Sequence, residues 1–143
     1  MAKAKSYILQ FMETITLDIP ETMFRRLEQT AVAAHWSVQE TVLHSIKIGS
    51  PPTWDDVPAI FQPEIAQLDR LGNEKLWHIA QSKNNQLNYE RYDELLSKNQ
   101  NGEITAVEKL ELAKFREKAD CFMLRKAHAA ALLRWRGHAV PQP

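Results

Sequence analysis

Five histidines (His35, His44, His78, His128, His138), one cysteine (Cys121) and the carboxylate pairs Asp55-Asp56 and Asp93-Glu94 are the side chains here with the means for catalysis or metal binding. Their spacing does not assemble them. No HExxH and no paired Cys/His spacing occurs, so no metal centre is expected. Cys121 stands in the mostly apolar run Ala119 to Leu124, where a thiol reads as buried rather than nucleophilic. Asp55-Asp56 fall in a proline-rich stretch and Asp93-Glu94 on a helical one, both ordinary solvated surface. Glu90-Arg91 with Tyr92-Asp93 would suit a nuclease site in isolation, but nothing converges on them. With four glycines and no GxGxxG or GxxxxGK pattern, no phosphate-cradling loop is expected. The chain therefore reads as a non-enzyme without a cofactor.

Eighteen basic and eighteen acidic residues in 143 give a formal net charge of zero, which argues against a general polyanion coat. The balance is uneven along the chain. Residues 51–120 carry nine bases and thirteen acids, whereas residues 121–143 carry Arg125, Lys126, Arg134 and Arg136 and no acid. A basic end of this kind meets nucleic acid or an acidic protein, or closes on the acidic middle of its own chain. With 44% hydrophobic residues the composition is that of a globular protein. No apolar run approaches a membrane span, Tyr7-Ile8-Leu9 is too short for a signal-peptide core, and a lone cysteine excludes a disulfide framework. A cytoplasmic protein is expected.

The elements that would position these residues follow from periodicity. Residues 1–13 are weakly patterned and read as an extension, with Met12 an alternative start. Residues 14–19, Thr-Ile-Thr-Leu-Asp-Ile, alternate with period two, the pattern of a half-buried strand ended by Pro20. Met23, Phe24, Leu27, Ala31 and Ala34 make one helical stripe. Ser37 with Glu40 predicts a capping box opening a second helix with Val38, Val42, Leu43 and Ile46, closed by Gly49. Residues 50–62 are a Pro-rich linker, and 63–143 a helical module. There, short helices are expected over 63–71, 74–82 and 86–99. A second capping box, Thr105 with Glu108, opens a helix of about 30 residues with no breaker before Gly137.

One strand and two short helices bury too little apolar surface to stand alone, and no second strand follows in the chain. The simplest solution is a homodimer pairing strands 14–19 about a two-fold axis. Ile15, Leu17 and Ile19 would then cover the helices, leaving Thr14, Thr16 and Asp18 on the opposite face of a ribbon that fits the DNA major groove.

This order of elements, with Ile15-Thr-Leu-Asp-Ile-Pro-Glu-Thr-Met-Phe-Arg-Arg-Leu-Glu and Trp36-Ser-Val-Gln-Glu, resembles the ribbon-helix-helix family of bacterial repressors and antitoxins over residues 14–49. The resemblance implies that Thr14, Thr16 and Asp18 read base edges of double-stranded operator DNA and that Ser37 and Val38 seat a phosphate. The sequence departs from the family's strong readers: none of its outward strand residues is Arg or Lys, and Asp18 repels phosphate. Weak binding per dimer is expected, aided by Lys3, Lys5, Arg25 or a partner.

In the second half, Arg125, Leu132, Arg134, Trp135 and Arg136 form the most individual cluster, of types enriched at interface hot spots. They are expected to dock a partner protein or, alternatively, to close an intramolecular hairpin. The half also looks like the C-terminal part of small bacterial proteins with a ribbon-helix-helix front, often encoded beside a nuclease-like gene. The expectation is a mostly α, dimeric DNA-binding antitoxin that represses its own operon and neutralises a toxin. The alternatives are a stand-alone regulator and an adaptor whose ribbon only dimerises.

Overall fold

The computed structural model describes residues 12–85 and 87–141. The expectation that residues 1–11 are an upstream extension lies outside the described residues. Among the described residues six helices run in chain order: α1 Glu21–Ala34, α2 Val38–Gly49, α3 Gln62–Leu68, α4 Asn73–Gln81, α5 Tyr89–Asn101 and α6 Ala106–Trp135. The chain divides into two compact units, Met1–Ser50 and Pro51–Pro143.

The predicted strand is corrected. Every regular element among the described residues is a helix, and residues 14–19 form no strand. The front of the chain is therefore a helix pair, not a ribbon-helix-helix. Period-two alternation states which side chains share a side, but a strand also needs a backbone partner for its N–H and C=O groups. The chain offers no second such segment. Ile15 and Leu17, expected to cover the helices, are 75% and 57% exposed.

The front helices form where their signals are placed. Ser37 Oγ accepts from the Glu40 N–H at 3.1 Å, and the Glu40 carboxylate accepts from the Ser37 N–H at 2.7 Å. This closes the expected capping box at the start of α2. Between the helices His35 takes the left-handed conformation at φ 58°. Its N–H donates to Val32 O and the Trp36 N–H to Ala31 O, completing the last turn of α1. Gly49 does not act as the expected left-handed cap: it is the last helical residue, and Ser50 after it is extended.

In the second unit α6 is the spine. Its first half packs on α5 and its second on α3 and α4. The core is Ile65, Leu68, Leu76, Ala129, Leu132 and Leu133, joined by partly buried Trp54, Val57 and Phe61 from the proline-rich stretch. Because α6 meets different neighbours along its length, its apolar residues follow no single stripe. Val107 and Leu110 are exposed, while Leu112 is buried. The second capping box also forms, Glu108 N–H to Thr105 Oγ1 at 3.2 Å and Thr105 N–H to Glu108 at 2.9 Å. Gly102 supplies the left-handed turn between α5 and α6 at φ 73°.

Candidate functional site

The residues matched to DNA reading lie apart in kind. Thr14, Thr16 and Asp18 are exposed in the irregular segment before α1. Arg25 is paired with Glu21 one turn earlier on α1. Ser37 is already engaged as the α2 cap, and Val38 is half-buried. The Glu40 carboxylate thus occupies the α2 N-terminus, where a phosphate would bring its negative charge. Its hydrogen bonds from the Ser37 backbone and side chain hold it below the usual carboxylate range.

The front helix pair has little inside. Of its helical residues only Ala31 and Thr41 are buried. Met23 and Phe24 lie on the same stripe as Ala31, yet both remain exposed, as do Leu43 and Ile46 on α2. Trp36 contributes an edge contact with His44, ring centroids 5.0 Å apart.

The cluster expected to dock a partner is divided by the second unit. Leu132 is core. The Arg136 guanidinium donates to Leu71 O at 2.8 Å, Asn73 Oδ1 at 3.0 Å and Asp69 O at 3.3 Å, fastening the α3–α4 corner to the end of α6. Arg125 reaches Glu64 at 3.4 Å. Arg134 and Trp135 remain exposed. Of the four bases in the acid-free tail, Arg125 thus meets an acid of the chain's own middle, and Arg136 meets two backbone carbonyls and an amide there.

No family model, curated protein or solved structure matches this chain. What the chain can do rests on its own geometry.

That geometry includes contacts not singled out from the sequence. Asp69 accepts from the Trp54 indole N–H at 3.0 Å and lies 2.8 Å from His128 Nε2. Between α5 and α6, Arg91 makes a two-pronged contact with Glu111 at 2.9 and 2.8 Å, and Lys98 binds Glu108 at 2.6 Å. Glu94 bridges Arg91 and Lys98. The Lys98 ammonium, with the Thr105 N–H, pulls Glu108 down to about 2. The spacings Arg91-Glu94-Lys98 and Glu108-Glu111 mark one charged face on each helix and were the available signal. Cys121 is half-buried, and its thiol donates to Glu64 at 3.2 Å. Burial, then the Glu64 carboxylate, pushes it up to about 11, so it is held as a thiol. Among the described residues no cluster of three His, Cys, Asp or Glu has metal-binding geometry. No helix among them is long and apolar enough to cross a membrane.

Proposed function

We propose that this protein works by binding rather than by catalysis, as a homodimer whose two front units complete each other's cores. What carries this is one observation: Met23, Phe24, Leu43 and Ile46 of the helix pair, with Ile15 and Leu17 before it, all stand in solvent. A helix pair that buries only an alanine and a threonine lacks the apolar burial to offset its conformational entropy. A second copy supplies a matching apolar face without another gene product, and two-fold pairing is the commonest closed arrangement. The second unit, with its own core, is then the part carried by the dimer. The double variant Leu17→Asp/Ile46→Asp tests this in sedimentation velocity. The expected result is a wild-type dimer and a monomeric variant with reduced helicity. A wild-type monomer with full helicity counts against the proposal.

A DNA-binding regulator of antitoxin type is the second reading. One observation favours it: Thr14, Thr16 and Asp18, the side chains that the resemblance matches to base edges, are all exposed. Among the described residues no ribbon holds them in a groove, and Ser37 is engaged by Glu40. A mobility-shift titration with the upstream promoter fragment is the test. Thr16→Ala should weaken specific binding by about 1–3 kcal/mol if Thr16 reads a base. The toxin in this reading would meet the exposed Arg134 and Trp135.

A further inference from the structure

In the second unit two hollows adjoin beside α6, where Phe122 meets the residues between α4 and α5, and together they form one groove. The first, about 700 Å³, is lined by Phe61, Ile79, Lys118, Cys121, Phe122 and Arg125 among others. The second, about 520 Å³, is lined by Tyr89, Tyr92, Met123 and Lys126. They share Ser82, Lys83, Asn84, Asn85, Leu87 and Phe122. Met123 and Tyr89 are large apolar or aromatic side chains left mostly in solvent, 62% and 54% exposed.

The charges along this groove do not balance. Arg125 is paired with Glu64 at 3.4 Å. Among the described residues Lys83, Lys118 and Lys126 have no carboxylate within ion-pair distance, and Glu117 is the one acid on the lining left unpaired. With Glu117 set against these three ammonium groups, the lining keeps an excess of positive charge beside Phe122, Leu87, Tyr89 and Met123. Adaptable Met and aromatic floors with charged rims are the composition of protein-binding surfaces. Two adjoining hollows that share one wall suit a chain segment with more than one anchor, rather than one compact molecule.

We infer that this groove docks an acidic, amphipathic segment of a partner protein. Apolar anchors of the segment fill the two hollows, and its carboxylates meet Lys83, Lys118 and Lys126. The site lies wholly in the second unit and is distinct from the apolar face assigned to dimerisation.

The test uses the full chain and a random dodecapeptide library displayed on phage, with enriched peptides resynthesised and titrated by fluorescence anisotropy. The expected peptides carry Asp or Glu around Leu, Phe or Trp, and their affinity falls with added salt. Lys118→Glu/Lys126→Glu should weaken them about tenfold or more, whereas Lys75→Glu, the same kind of charge change on α4 outside the groove, should not. Circular dichroism confirms that each variant is folded, and Lys83→Glu alone serves if the double variant is not. The inference is overturned if no peptide is enriched, if the enriched peptides lack acidic residues, or if the groove variants bind as the wild type does. Sedimentation of the same variants keeps this outcome separate from dimerisation: groove variants should remain dimers.

Discussion

Nε2 of His128 lies 2.8 Å from Oδ1 of Asp69, whose other oxygen accepts from the Trp54 indole N–H. One carboxylate at the end of α3 therefore ties the proline-rich stretch to the buried side of the long helix. His128 is buried, so losing its partner leaves a ring nitrogen unsatisfied inside the unit. Asp69→Ala should destabilise the second unit by about 1–3 kcal/mol. Asp69→Asn, which keeps an acceptor, should cost less. Urea unfolding followed by tryptophan fluorescence measures both, and an Asp69→Ala variant as stable as the wild type would remove this tie from the account.

The charge lattice between α5 and α6 sets an acid limit. Glu94, Glu108 and Glu111 are all held below the usual carboxylate range by Arg91 or Lys98, Glu108 down to about 2. A depressed folded-state pKa contributes stability above the unfolded value, and this is lost as pH falls through the folded one. The melting temperature should therefore decline from about pH 5 towards pH 2. Glu108→Gln should flatten that decline. Lys98 is shifted upward by Glu108 and Glu94, so its contribution persists through neutral pH and fades only in strong base. A melting temperature independent of pH over the acid range would contradict the lattice.

Cys121 should be a slow thiol. At about 11 its thiolate is scarce near neutral pH, and the negative Glu64 opposes its formation. Reaction with a disulfide reagent at pH 8 should run about tenfold or more slower than that of free cysteine, higher intrinsic nucleophilicity offsetting only part of the loss. Glu64→Gln should speed it. Absorbance kinetics of the released thiolate decide the matter: a rate equal to free cysteine would contradict the raised thiol, and an unchanged rate in Glu64→Gln would leave burial as its cause.

His35 is the left-handed residue that closes α1, a conformation that strains a side chain with a Cβ and suits glycine. His35→Gly should stabilise the front unit by about 0.5–1 kcal/mol, the relief of strain exceeding the added chain entropy. Thermal unfolding at a fixed protein concentration reads the difference. A loss of stability would instead assign a structural role to the imidazole.

Helix starts were legible because their signals are local. Ser37-Glu40 and Thr105-Glu108 each carry a whole capping box within four residues, and both boxes form. What depends on distant neighbours was not legible. Thr14 to Ile19 alternates as a strand does, but pairing is a property of two segments and the chain holds one. The tail cluster read as a docking site because Arg and Trp types are common at interfaces. Yet Arg136 is consumed by three acceptors of the α3–α4 corner, and Leu132 by the core. Nothing in residues 125–136 alone states where Leu71 O or Asn73 will lie. The long helix also misleads periodicity, since α5 and then α3 and α4 take different faces of it.

Association of the front helix pair is tested most directly by hydrogen exchange of the α1 and α2 amides across a range of protein concentrations. If two copies complete each other's cores, those amides are protected in concentrated solution and lose protection on dilution, while the α6 amides of the separately packed second unit keep theirs. Protection in α1 and α2 that does not change with dilution, in a chain that sediments as a monomer, would contradict the account.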